Sequence, residues 1–137
     1  MKSLFPDEMM SSKSNGGGLT LESIASKLTM FQEQLHLVHW QTTSYAEHKA
    51  VGGLYDYVED FKDGLIEKLM GYTGKRPTSI SLQSITTMSS QAIVSEMLMF
   101  ASSLKSYAES NGYHDIANLA DSFSGEAAKT KYLLTLS

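Results

Sequence analysis

The sequence contains no cysteine, which excludes disulfides and thiolate metal sites and fits a reducing compartment. It has no surplus of positive charge: 11 Lys and Arg stand against 15 Asp and Glu, for a formal net charge of -4. A basic nucleic-acid binder has the opposite balance, and the basic residues form no stripe. No apolar run approaches the roughly 20 residues that span a bilayer. Residues 1–10 carry Pro6, Asp7 and Glu8 and lack the apolar centre of a secretory signal. There is no internal repeat. Gly16-Gly17-Gly18 lacks the preceding strand and the lysine of a phosphate loop, and no Ser-His-Asp arrangement has a recognisable local context. The expectation is an acidic cytoplasmic protein with no membrane partner and no strong nucleic-acid signal.

What is present is helical periodicity. A chain of 137 residues, 42% hydrophobic, fits one domain with one core. Residues 1–18, rich in Ser and closed by three glycines, are expected to form a flexible N-terminal arm ahead of a helical domain over 19–137. Thr20 reads as a helix N-cap. Ser23 stands where a capping box carries Glu or Gln, so a full box is not expected. Leu21, Ile24, Leu28, Phe31, Leu35 and Val38 then recur at three or four, one helical face running to about Thr42.

A second helix is predicted from near Glu47 to about Tyr72, with Leu54, Val58, Phe61, Leu65 and Leu69 inward and Gly71 and Gly74 at its end. Residues 74–87 read as irregular, with Ile80, Leu82 and Ile85 expected to pack across the bundle. A third helix is predicted over 88–110, stopped by Asn111-Gly112, and a fourth over 114–136. The fold class is therefore all-α, an antiparallel four-helix bundle. Its longest link, 73–87, can serve as the long crossover of a ferritin-like topology.

The residues that could carry chemistry cluster. His36, His39 and His48 precede an acidic series of Asp56, Glu59, Asp60, Asp63 and Glu67. Neutral imidazole and carboxylate are the usual ligands of iron, manganese and zinc. At about 100° per residue, Asp56, Asp60, Asp63 and Glu67 fall opposite the apolar stripe of the second helix. A di-iron centre inside one bundle needs inward carboxylates and paired Glu-x-x-His motifs. Glu33-x-x-His36 has that spacing, but the fourth helix offers only Glu126-x-x-Lys129. The acids thus face either water or a second subunit. Trp40 reads as a core or interface anchor, and Met30 and Met70 as candidates for an oligomer contact.

Leu35-His36-x-x-His39-Trp40 resembles the Leu-His-x-x-His-Trp that ends the first helix of the Dps mini-ferritins. His48, Leu54-Tyr55-Asp56, Asp63-x-x-x-Glu67-Lys68 and Gly74 to Pro77 continue the likeness, which runs weakly to the C-terminus through Gly112, Asp115, Asp121 and Lys131 to Leu134. The resemblance implies a ferritin-like bundle that oxidises and stores iron as a homo-oligomer, from a dimer up to a dodecamer. It implies metal ligands His39 and His48 from one subunit and Asp63 and Glu67 from its twofold partner. His36, Asp56 and Asp60 are secondary metal candidates, and Trp40 an interface residue.

The sequence departs from the family in a shorter His39–His48 gap and in Gly52, where the family has Asp. The short helix between the family's second and third helices is not evident, and a Lys-rich tail is absent. Residues 39–50 are also similar to uncharacterised small ferritin-like proteins of tailed phages and large DNA viruses, which share the short gap. That second likeness implies the alternative of a virion-associated structural or assembly protein with a degenerate metal site.

Overall fold

The structure, a computed structural model, describes residues 18–137. The arm expected over 1–18 lies, but for Gly18, outside the described residues. Four helices and no strand are present among the described residues: α1 (Leu21–Gln41), α2 (Tyr45–Thr73), α3 (Ser90–Asn111) and α4 (His114–Leu134). α1 packs on α2 and α3 on α4, and contacts of α2 with α4 and of α1 with α3 close the ring. None of these helices is long and apolar enough to cross a membrane.

Local chemistry sets the boundaries. Thr20 is extended, with φ -128°, and its hydroxyl accepts from the Ser23 N–H at 3.0 Å. The Ser23 hydroxyl in turn accepts from the Thr20 N–H at 2.8 Å. The capping box is therefore complete, against expectation, because a serine hydroxyl reaches the same orphan donor that Glu usually serves. Ser44 and Ser89 cap α2 and α3 in the ordinary way, each hydroxyl accepting a backbone N–H at 3.1 Å. Gly74 and Gly112, at φ 69° and 74°, end α2 and α3 in the left-handed region that a side chain would strain.

The segment between α2 and α3 spans the length of the bundle on its outside. It runs along α1. The Thr78 N–H and hydroxyl donate to the Glu22 carboxylate at 3.0 and 3.3 Å, in the first turn of α1. The Ser81 N–H donates to the Ser26 hydroxyl at 2.9 Å, and the Gln41 amide, at the end of α1, donates to the Thr87 hydroxyl at 3.0 Å. Ile85 packs at the core margin, but Ile80 and Leu82 are exposed, contrary to the sequence expectation. Spacing alone does not reveal that the anchors of this segment are its hydroxyls and amides. Glu47 closes the same end of the bundle: its carboxylate accepts from the Thr42 hydroxyl at 2.5 Å and from the Ser90 hydroxyl.

The core holds the expected stripes. Phe31, Phe100 and Phe123 meet at its centre, with Phe31–Phe100 edge-to-face at 5.8 Å and Phe100–Phe123 at 5.6 Å. Met30 is buried in this core, so it offers no surface to a second copy, whereas Met70 is only partly buried.

Polar side chains interrupt the apolar interior. Lys27 on α1 is 0% exposed and Glu96 on α3 is 6% exposed. Burial pulls the Lys27 ammonium down to about 8, with the Glu96 charge opposing that shift. The Lys27 Nζ lies 5.8 Å from the Phe100 ring centroid. Gln34 is buried with neither amide atom hydrogen-bonded among the described residues.

Candidate functional site

The three clustered histidines come together where α1 ends and α2 begins. Only Thr42, Thr43 and Ser44 separate the two helices, so the last turn of α1 and the first turn of α2 face each other. Each of His39 and His48 turns its ring Nδ1 to the other's backbone carbonyl oxygen, at 2.9 Å in both directions. A carbonyl only accepts, so each Nδ1 carries the hydrogen and donates it. In the neutral ring this leaves the lone pair on Nε2, the atom a metal would take. The two rings stack with centroids 3.8 Å apart and planes inclined by 18°. No described residue hydrogen-bonds either Nε2.

The pair opens on a cavity of about 470 Å³ lined also by His36, Lys49, Gly52, Tyr55 and Asp56. Gly52 makes the stack fit. A Cβ there would stand 3.0 Å from His39 Cε1 and 3.1 Å from its Nδ1. The carboxylate that the family resemblance expects at this position would displace His39.

His36 takes a different role from His39. Its ring lies between Trp40, at 4.0 Å, and Tyr55, at 4.5 Å, and is 6.2 Å from the His39 ring. Trp40 is 66% exposed, which removes it from the core of this chain. Tyr45, one turn before His48, is 75% exposed. Burial, and then the charges of Glu59, Glu33 and Asp56, push the Tyr55 phenol above its ordinary range.

The site residues expected from sequence divide into two groups. His36, His39, His48 and Asp56 line one cavity, and Trp40 packs beside it. Asp60, Asp63 and Glu67 do not join them. All three are exposed on α2, and Asp63 lies roughly 22 Å along the axis from His48 at 1.5 Å per residue. Among the described residues no three His, Asp or Glu side chains converge as a metal cage. Sequence reasoning did not anticipate the reciprocal carbonyl bonds, the closeness of Gly52 or the aromatic sandwich of His36. The i, i+4 series His48, Gly52, Asp56 carries part of that signal, because it places all three on one helical face.

A family model described as a family of unknown function, DUF5856, matches residues 39–134. The chain belongs to this family. The match takes in His39, His48, Asp63 and Glu67 and begins at the last turn of α1. No curated protein and no solved structure matches this DUF5856 chain.

Proposed function

We propose that this DUF5856 protein is a Dps-like, ferritin-like metal-binding protein that holds Fe(II) as substrate at a site shared by two copies of the chain. The observation that carries the reading is the histidine pair, whose reciprocal bonds fix both tautomers and leave both Nε2 atoms to the cavity. His39 and His48 supply the imidazoles. Asp63 and Glu67 of the second copy supply hard oxygen donors, which suits iron better than imidazole alone. Support for a ferritin-like path comes from segment 74–89, whose bonds to Glu22, Ser26 and Gln41 suit the single long crossover of that topology. On this reading α1 and α2 run antiparallel, as do α3 and α4.

The chemistry implied is oxidation of bound Fe(II). Each ion gives up one electron; peroxide takes two with two protons, or the dioxygen of an aerobic solution four with four protons, and either leaves as water. Fe(II) added aerobically to metal-free protein is expected to develop Fe(III) absorbance faster than in buffer, with the gain lost in His48→Ala and in Asp63→Ala. An unaccelerated rate in the unsubstituted protein contradicts the reading.

Gly52 favours a second reading, a structural or assembly protein on the same bundle with a degenerate metal site. It expects unchanged assembly after both substitutions, and co-purification with a larger particle.

A further inference from the structure

We infer that a second site, at the opposite end of the bundle from the histidines, binds a small organic oxyanion, its phosphate or carboxylate head held by Lys75 and Arg76 and its apolar body lying against Leu19, Leu21 and Tyr107. These residues line one cavity of about 560 Å³, a size usual for small-molecule sites. It lies between the start of α1, the end of α2 and α3, roughly 27 Å along α1 from His39 at 1.5 Å per residue. The inference is therefore independent of the metal-site reading.

Local chemistry builds the cavity. Gly74, at φ 69°, ends α2 and lets the chain turn toward the start of α1. The residues that follow are pinned at both ends. The Lys75 N–H donates to the Thr73 hydroxyl at 3.2 Å, and the Thr78 N–H donates to the Glu22 carboxylate at 3.0 Å. Pro77 fixes its own φ between them. The backbone that carries Lys75 and Arg76 is thus set before any ligand arrives, which lowers the ordering cost of binding. Buried Leu19 and Leu21 give an apolar floor, and half-buried Tyr107 of α3 closes it.

Three donors at this cavity lack an acceptor. The Lys75 ammonium, the Arg76 guanidinium and the Tyr107 hydroxyl make no ion pair and no hydrogen bond among the described residues. Burial, and then Tyr113, push the Tyr107 phenol above its ordinary range, so it keeps its proton and can donate. Glu22 is the one carboxylate of the lining, and its Oε2 already accepts from the Thr78 N–H and hydroxyl. The Thr78 backbone bond leads in holding the Glu22 carboxyl below its ordinary range, and Lys75 contributes least. Two cations against one engaged anion leave a positive wall on a chain of net charge -4. An oxyanion supplies the missing acceptors, and a guanidinium can meet it with two parallel N–H bonds. An apolar body covers Leu19, Leu21 and the Tyr107 ring, which a bare inorganic ion leaves facing water.

The test is calorimetric titration of the full-length protein with phenyl phosphate, benzoate and inorganic phosphate as separate probes. At least one organic probe should bind saturably, and about tenfold more tightly than inorganic phosphate. Lys75→Ala and Arg76→Ala, two exposed changes, should each weaken that binding about tenfold, and Tyr107→Phe a few fold, with unfolding midpoints little changed. The His39→Ala and His48→Ala double variant should bind the organic probe as the parent does, so failure here leaves the metal-site reading untouched. Tighter binding of phenyl phosphate assigns the site to phosphate esters and tighter binding of benzoate assigns it to carboxylates; either supports the inference. No saturable binding of either organic probe below about 10 mM overturns it. So does affinity no better than that of inorganic phosphate, or binding that survives Lys75→Ala combined with Arg76→Ala.

Discussion

His39 and His48 at the rim of the bundle, and Lys27 and Glu96 in its interior, meet burial in opposite ways. Each rim imidazole has one nitrogen satisfied by a backbone carbonyl and the other open to a cavity. The interior ammonium is 0% exposed, and burial has drawn its proton affinity down to about 8. The rim pair keeps one nitrogen of each ring without a partner among the described residues, beside an open cavity. The interior pair is complete within the chain and costs stability to keep charged. Polar groups about three turns apart on α1 thus meet solvent differently, Lys27 sealed in the interior and His39 at an open rim.

The contrast breaks most sharply at Lys27. Lys27→Met leaves the Glu96 carboxylate buried without the charge that faces it, and should lower stability by about 3–5 kcal/mol in urea unfolding. The double change Lys27→Met with Glu96→Leu should recover most of that loss. A single substitution as stable as the parent contradicts the interior half of the comparison.

The next effect is on pH. An unfolded lysine holds its proton to 10.5 and the folded Lys27 only to about 8, so between those values the unfolded state binds more protons. Stability should rise from pH 8 to pH 10 by about 2–3 kcal/mol, at 1.36 kcal/mol per unit. Above pH 10 burial of Tyr57 and Tyr107 works the other way: their phenols keep protons that the unfolded chain releases, so stability falls. The rise should vanish in the Lys27–Glu96 double variant.

Gln34→Met should raise stability by about 1–2 kcal/mol, because it removes a buried amide with no partner among the described residues. The smallest expected effect on stability, about 1 kcal/mol or less, is that of Gly52→Ala at the rim, since the cavity gives the displaced His39 ring room. Its effect on metal affinity should be larger, about tenfold, because the added Cβ pushes the ring off the His48 carbonyl. Comparing Gly52→Ala with Gln34→Met by thermal melting and metal titration tells whether rim and core act separately.

Much of the fold was legible in the sequence. Leu54, Val58, Phe61, Leu65 and Leu69 lie on the buried face of α2, and the acids from Asp56 to Glu67 are exposed, because period alone fixes which face turns inward. The capping box was misread because Ser23 does the work expected of Glu. The path of residues 74–89 was left open, since its anchors are side chains of α1 distant in sequence. Lys27 and Glu96 escaped notice because a charged residue on an apolar stripe reads as a boundary until a partner from another helix is seen. At the site, composition and spacing drew attention to the cluster of His36, His39 and His48, and the family resemblance singled out His39 and His48, but Nδ1 bonding to backbone carbonyls leaves no mark in residue identity.

The central claim is that the His39–His48 pair is a metal site. Its most direct test is anaerobic Fe(II) titration of metal-free, full-length protein, with bound iron counted after gel filtration, beside the His39→Ala and His48→Ala double variant. The account predicts retained iron in the parent and its loss in the variant, with unfolding midpoints in urea that differ little. Equal iron in both proteins, or none in the parent, would contradict it.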